Sequence, residues 1–141
     1  MTKVYIAPSL EEAPYGIKRL IEAMYKHLPE LGIQIVDSEE EADVVNAHAM
    51  ALVKTDKPVV YTSHGLYWAD HYWPTEYGIA NQKMIDYMCR SQAITAVSDW
   101  VAMSLKRGLN RPISTIYHGI DADDWIPIDP ENVKGYVSVG S

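Results

Sequence analysis

Cysteine, long apolar runs and an N-terminal signal are what this sequence lacks. Cys89 is the only cysteine among 141 residues, so the chain alone forms neither a disulfide nor a zinc site built from several cysteines. No apolar run is long enough to cross a bilayer, and the first residues do not follow the charged-then-apolar pattern of a signal peptide. These absences predict a cytoplasmic protein in a reducing compartment.

Positive charge and the common catalytic signatures are also scarce. Twelve Lys and Arg stand against nineteen Asp and Glu, and the net charge of −7 argues against a nucleic-acid or anionic-membrane surface spread over the whole domain. The chain contains no GxGxxG, HExxH or GxSxG pattern, which disfavours a dinucleotide site, a zinc protease and a serine hydrolase. Phenylalanine is absent, so the aromatic residues are tyrosines and tryptophans, whose polar atoms suit a wet cleft.

Short apolar runs alternate with helical patterns along most of the chain. A hydrophobic content of 48% in a chain of this length is enough for one domain with a real core. The near-continuous apolar character of the runs is typical of buried parallel strands, which we predict at residues 3–7, 33–36, 43–48, 59–65, 94–97 and 113–117. The order of elements predicts a Rossmann-like α/β domain, with a parallel sheet and helices on both faces.

Residues 93–125 form the most regular of these units. The strand is followed by Ser98, whose side-chain oxygen is expected to cap a helix, and by Asp99, whose charge suits the first helical turn. Gly108 is expected to end this helix in the left-handed conformation. The preceding helix, over residues 75–91, should pack its methionines on the sheet, with Cys89 in the core.

Several short anchors follow one another in register through this unit. They are Val97-Ser98, Val101, Leu105, Gly108, Pro112-Ile113, His118-Gly119-Ile120-Asp121 and Trp125-Ile126-Pro127. Together they resemble the end of the N-terminal domain of GT-B glycosyltransferases, specifically the large retaining family numbered four. That family usually has asparagine at the position of His118.

Two earlier strands strengthen this resemblance. The run ending at His48 is similar to the family's "DvvhaH", and the run ending at His64 and Gly65 is similar to its "vVyTvHg". The resemblance implies one half of a GT-B fold, with an N-terminal domain at 1–124, a linker at 125–134 and the start of a nucleotide-sugar-binding domain at 135–141. It further implies retaining transfer of a sugar to an acceptor hydroxyl, by a hexosyltransferase-type enzyme that needs no metal or other cofactor.

Candidate site residues fall where the predicted strands end, because ligands of open parallel sheets bind at the carboxyl edge. The resemblance makes His64 the first catalytic candidate, as the side chain that contacts the donor sugar, with Gly65 beside it. His48 would shape the acceptor side, and His118 the turn toward the linker. Each histidine also has a structural explanation, as a strand-end side chain whose hydrogen bonds are satisfied locally.

The donor and acceptor contacts are expected from two loops and one helix cap. The resemblance places Gly16, the only glycine in the loop at 8–16, near the donor diphosphate. Its neighbour Tyr15 and the helix cap Ser98 are the further candidates for contacts with the donor. In the aromatic segment 66–73, Tyr67 and Trp68 are the substrate-binding candidates, because aromatic faces stack on sugars. Tyr72 and Trp73 lie in the same segment, and a loop folded over the domain's own core explains it equally well.

Other interpretations remain open at this point. One is a zinc site whose ligands are His48, His64 and His71. Another is a catalytic triad whose nucleophile is Ser63 or Ser98. Neither site has a supporting motif in the sequence. The chain would alternatively be a non-catalytic glycan- or protein-binding module, one half of a split transferase, or a flavodoxin-like ligand binder. As one half of a transferase, the chain would bind a glycan or lipid-linked acceptor. It would act together with a donor-binding domain, either in the same chain or in a separate one, and would be inactive alone. No feature of the sequence indicates nucleic acid or a membrane surface as a partner.

Overall fold

A computed structural model describes residues 1–67 and 75–122 of the chain. The described strands are β1 (Thr2–Ala7), β2 (Ile33–Val36), β3 (Val44–His48), β4 (Val59–Ser63), β5 (Ala93–Ala96) and β6 (Ser114–Thr115). The described helices are α1 (Tyr15–His27), α2 (Thr75–Arg90) and α3 (Asp99–Lys106), and a short 3-10 helix spans Pro29–Leu31. The predicted linker at 125–134 and the segment 135–141 lie outside the described residues.

All six strands pair in parallel in the order β2-β1-β3-β4-β5-β6. The chain begins at β1, moves outward to β2, returns to β3 on the other side of β1 and then proceeds to β6. The order therefore reverses between β1 and β3, the position at which open α/β sheets bind ligands beyond their carboxyl ends. The predicted Rossmann-like α/β class is confirmed.

The two faces of the sheet differ in what they bury. One face packs on α2 and α3 through a core cluster that includes Tyr61, Met84, Met88, Val101 and Leu105. The right-handed connection expected between β1 and β2 places α1, with its fully buried Ile21, on the opposite face. Helices therefore cover both faces, as predicted.

Local chemistry explains where the helices begin. The Ser98 side chain accepts a hydrogen bond of 3.2 Å from the Val101 amide, so the predicted cap of α3 is present. Helix α1 begins one residue before Gly16, which the sequence placed in the preceding loop. Gly32, at φ 77°, closes the turn between the 3-10 helix and β2 in the left-handed region that suits glycine.

Three local predictions were wrong. Gly108 is not left-handed: α3 ends at Lys106, its C-cap Arg107 is in the right-handed region, and the chain turns inward to bury Leu109. Cys89 is exposed although its neighbour Met88 is fully buried, because successive helical positions point about 100° apart. Strand β6 has only two residues, and the side chains predicted to extend it, Ile116 and Tyr117, are exposed.

Candidate functional site

Three histidines meet at the carboxyl edge of the sheet. His48 is the last residue of β3, His64 follows β4 directly, and His118 follows β6. The ring centroids of His48 and His64 are 5.4 Å apart, and those of His64 and His118 are 5.3 Å apart. His48 is 1% exposed, His64 is half-buried and His118 is exposed, so the row runs from the core to the surface. The structure thus brings together the three histidines that the sequence singled out.

Asn46 joins this row and is the site residue that sequence reasoning missed. Its Oδ1 lies 2.8 Å from His48 Nε2, and His48 Nδ1 lies 3.1 Å from His64 Nε2. Its Nδ2 donates to the Val60 carbonyl and to Thr62 Oγ1, each at 3.1 Å. The available signal was an amide side chain in an otherwise apolar strand, two residues before His48 and therefore on the same face.

The inner histidines are neutral near pH 7. Burial, and then the neighbouring His64 and His118, lower the pKa of His48 to about 3. Burial, and then His118, lower the pKa of His64 to about 4. The pKa of His118 is also lowered by burial. Rings in this state each offer one N–H donor and one nitrogen acceptor, so the row suits hydrogen bonding to neutral polar groups.

Unusual backbone conformations follow the two inner histidines. Ala49, directly after His48, has φ 49°, and the buried Tyr61 hydroxyl donates to its carbonyl at 2.7 Å. Gly65, directly after His64, has φ 115°, and its amide donates to Ser63 Oγ at 3.2 Å. At Ala49 a positive φ is costly and persists where the surroundings impose it, whereas glycine adopts it readily at position 65. The two conformations fix where the chain leaves β3 and β4 and therefore how the histidines sit.

The serine hydroxyls are engaged locally. Ser63 is 1% exposed and its oxygen accepts from the Gly65 amide, while the Ser98 oxygen caps α3. Within the described ranges, neither hydroxyl has a hydrogen bond to a histidine, so the triad interpretation gains no support. Among the same residues, no group of three or more histidine, cysteine or acidic side chains is placed to hold a metal ion. His71, the third ligand of the alternative zinc site, lies outside them.

A groove runs from the histidine row along α1. Its volume is about 560 Å³, and its walls are α1 and the segment 118–121. Gly16 lies in its lining, whereas Tyr15, 95% exposed, does not. Lys26 and His27, at the far end of α1, contact the Asp121 carboxylate. Hydrogen bonding to Lys26 is the main cause that lowers the pKa of Asp121. These contacts hold the segment after β6 against α1.

A second cavity, of about 590 Å³, lies at the opposite edge of the sheet. It is lined by the loop before β4 and by α2, and the Tyr87 hydroxyl donates to the Val53 carbonyl there at 2.9 Å. None of the predicted site residues lies in its lining. Its size alone therefore does not make it the functional site.

Of the aromatic residues in segment 66–73, only Tyr67 falls within the described residues. Its ring stacks on Tyr77 of α2 with centroids 4.6 Å apart, and its backbone exchanges hydrogen bonds of 2.8 and 2.9 Å with the Asn81 side chain. The Tyr67 side chain remains 43% exposed, so one aromatic surface is held near the edge after β4. Trp68, Tyr72 and Trp73 lie outside the described residues.

Comparison with known families identifies the chain. A family model described as Glycosyltransferase Family 4 matches residues 3–124, which is most of its length. The chain belongs to glycosyltransferase family 4. No curated protein matches it. The family supports glycosyltransferase function in general, and the parallel sheet is consistent with one half of a GT-B fold. The helices of the described residues include none long and apolar enough to cross a membrane.

The backbone after His64 gives a first prediction for this family 4 domain. A Cβ at Gly65 would meet only Val101 Cγ2, at 3.9 Å, so Gly65→Ala strains the backbone without a steric clash. We expect its free energy of unfolding in urea to fall by roughly 1–3 kcal/mol. Gly78→Ala, in the open interior of α2, should instead raise it by up to about 1 kcal/mol. Equal shifts in the two variants would contradict this account.

The buried His48 gives a second prediction, for the pH dependence of stability. His48 binds a proton near pH 6.5 when unfolded but only near pH 3 when folded, so the unfolded state gains protons first as the pH falls. Between pH 6.5 and 4.5 the free energy of unfolding should fall by about 2 kcal/mol from His48 alone. His48→Gln should lose less stability over that range. Parallel curves for the two proteins in urea titrations would refute a buried neutral His48.

Proposed function

We propose that this chain is the N-terminal, acceptor-side half of a retaining GT-B enzyme that moves a hexose from a nucleotide-sugar to an acceptor hydroxyl. The observation that carries the proposal is the row of neutral histidines at the carboxyl edge of a family 4 domain, one strand away from the point where strand order reverses. Neutral imidazoles offer a donor and an acceptor at fixed positions, as recognition of sugar hydroxyls requires.

His64 is the residue to which we assign the contact with the donor sugar. It lies in the middle of the row, half-buried, with His48 behind it and His118 at the surface. His48 then supports it from the core side and helps to shape the acceptor site. Gly65 positions the chain immediately after it, and His118 borders the groove along α1. Tyr67, held on α2, and Trp68 complete the proposed substrate surface.

The donor diphosphate is proposed to lie near Gly16, Tyr15 and Ser98. Gly16 lies in the first turn of α1, whose N-cap, Pro14, makes no side-chain hydrogen bond to the helix. Helix N-termini favour anions through their amide groups and the helix dipole. The second domain, beginning near residue 135 after a linker at 125–134, is proposed to provide most of the donor contacts. No metal is assigned a role.

Replacing His64 tests the proposed site. In the complete transferase, His64→Ala should lower kcat/KM by roughly 100-fold, because a hydrogen bond to the reacting sugar is lost. Met103→Ala, which truncates an exposed side chain on α3, serves as the matched control and should leave kcat/KM unchanged. Equal rates for His64→Ala and the control would remove His64 from the site.

The isolated chain should have no transferase activity. In the two-domain enzyme that we propose, most donor contacts come from the second domain. Purified chain of residues 1–141 mixed with nucleotide-sugars and acceptors should therefore release no nucleoside diphosphate above background. Measurable turnover would overturn the two-domain proposal. Tight glycan binding by a complete protein that shows no transfer would favour the binding-module alternative.

A further inference from the structure

The amide of Asn46 is held in one orientation by its own strand neighbours. The Val60 carbonyl only accepts hydrogen bonds, so the atom 3.1 Å from it is the Asn46 amide nitrogen. The same nitrogen lies 3.1 Å from Thr62 Oγ1, which also lies 3.0 Å from Thr95 Oγ1. Asn46 Oδ1 therefore points at His48 Nε2, 2.8 Å away.

This orientation sets the tautomer of both inner histidines. A carbonyl oxygen only accepts, so His48 Nε2 carries a proton. Burial keeps His48 neutral, which leaves its Nδ1 as an acceptor. His64 Nε2, 3.1 Å from that nitrogen, must then be protonated to donate to it. When His64 is neutral, its own Nδ1 is an acceptor. Within residues 1–67 and 75–122, the hydrogen bond to His48 Nδ1 is the only one that the His64 side chain makes.

We propose that Asn46 is a positioning residue, which acts through His48 to hold the proton of His64 on Nε2 and present His64 Nδ1 to the ligand as a hydrogen-bond acceptor. The identity of that ligand as a sugar rests on the proposed function. An acceptor at this position binds a hydroxyl group, which donates to it. It disfavours a carboxylate or phosphate oxygen, because neither the unprotonated nitrogen nor the anionic oxygen has a hydrogen to donate. The device thus selects a sugar hydroxyl over an anionic oxygen at His64.

Within residues 1–67 and 75–122, the titratable groups that act on this chain of bonds are themselves histidines. His64 faces His48 on its inner side and His118 on its outer side, and both carry lowered pKa values. The sheet elements on either side contribute Asn46, Thr62 and Thr95, which do not titrate. Since no carboxylate of the described residues acts on His48 or His64, hydrogen bonding decides the tautomer there.

The experiment is long-range nitrogen–proton NMR of the imidazole rings in the 141-residue chain near pH 7.5. In the unmodified chain we expect His48 and His64 both to be protonated at Nε2. In Asn46→Leu, where the amide oxygen is lost and the shape is approximately kept, the His64 signals should shift toward a mixture of tautomers. Thr95→Val, on the same face, leaves the Asn46–His48 bond in place and should keep the signals of the unmodified chain.

Two results would overturn the proposal. One is a proton on Nδ1 of His64 in the unmodified chain, which is decisive even if the leucine variant fails to fold. The other is an unchanged His64 tautomer in a folded Asn46→Leu. The outcome is separate from that of the proposed function, because the NMR measurement needs no substrate. If the tautomer is as expected but His64→Ala does not affect transfer, the tautomer assignment stands and the assignment of His64 to the sugar fails.

Discussion

The parallel register of β3 against β4 is the constraint on which the site depends. It pairs Asn46 with Val60 and His48 with Thr62. Because His64 lies two residues after Thr62, it extends over the same face of the sheet as His48. Side chains alternate between faces, and a slip of one residue would turn Asn46 and His48 into the apolar core. The apolar partners Val45, Ala47 and Tyr61 on the other face therefore specify the position of the polar row.

Burial and hydrogen bonding act together in this row. Removing a histidine from water without partners would be costly, but His48 has one on each ring nitrogen. Within the described part of the chain, no buried side-chain nitrogen or oxygen is left without a hydrogen bond. The same burial keeps the inner rings neutral, and in our proposal the hydrogen bond from His48 to Asn46 decides which ring nitrogens carry their protons. The contacts that stabilise the edge therefore also determine what it can bind.

Much of the fold was predictable because its signals are local. Near-continuous apolar runs marked the buried strands, Ser98 marked the start of α3, and the strand ends indicated that His48, His64 and His118 would meet. The inward turn at Gly108 was not predictable, because it follows from tertiary burial of Leu109 and not from helix-end chemistry. The short β6 and the exposed Cys89 likewise depend on which surfaces the rest of the molecule covers.

The role of Asn46 was not predictable for a different reason. A single asparagine in an apolar strand shows neither which strand pairs with it nor which residue lies opposite, and its significance comes from the 2.8 Å contact with His48. The roles of Tyr15, Gly16 and Ser98 toward a donor remain proposals, since they depend on the second domain that we propose.

The decisive measurement is an experimental structure of the complete protein with the proposed nucleotide-sugar donor bound. We expect a hydroxyl of the donor sugar at about 2.8 Å from Nδ1 of His64, with the row His48–His64–His118 intact. A sugar bound away from this edge, or a phosphate oxygen in contact with Nδ1 of His64, would contradict it.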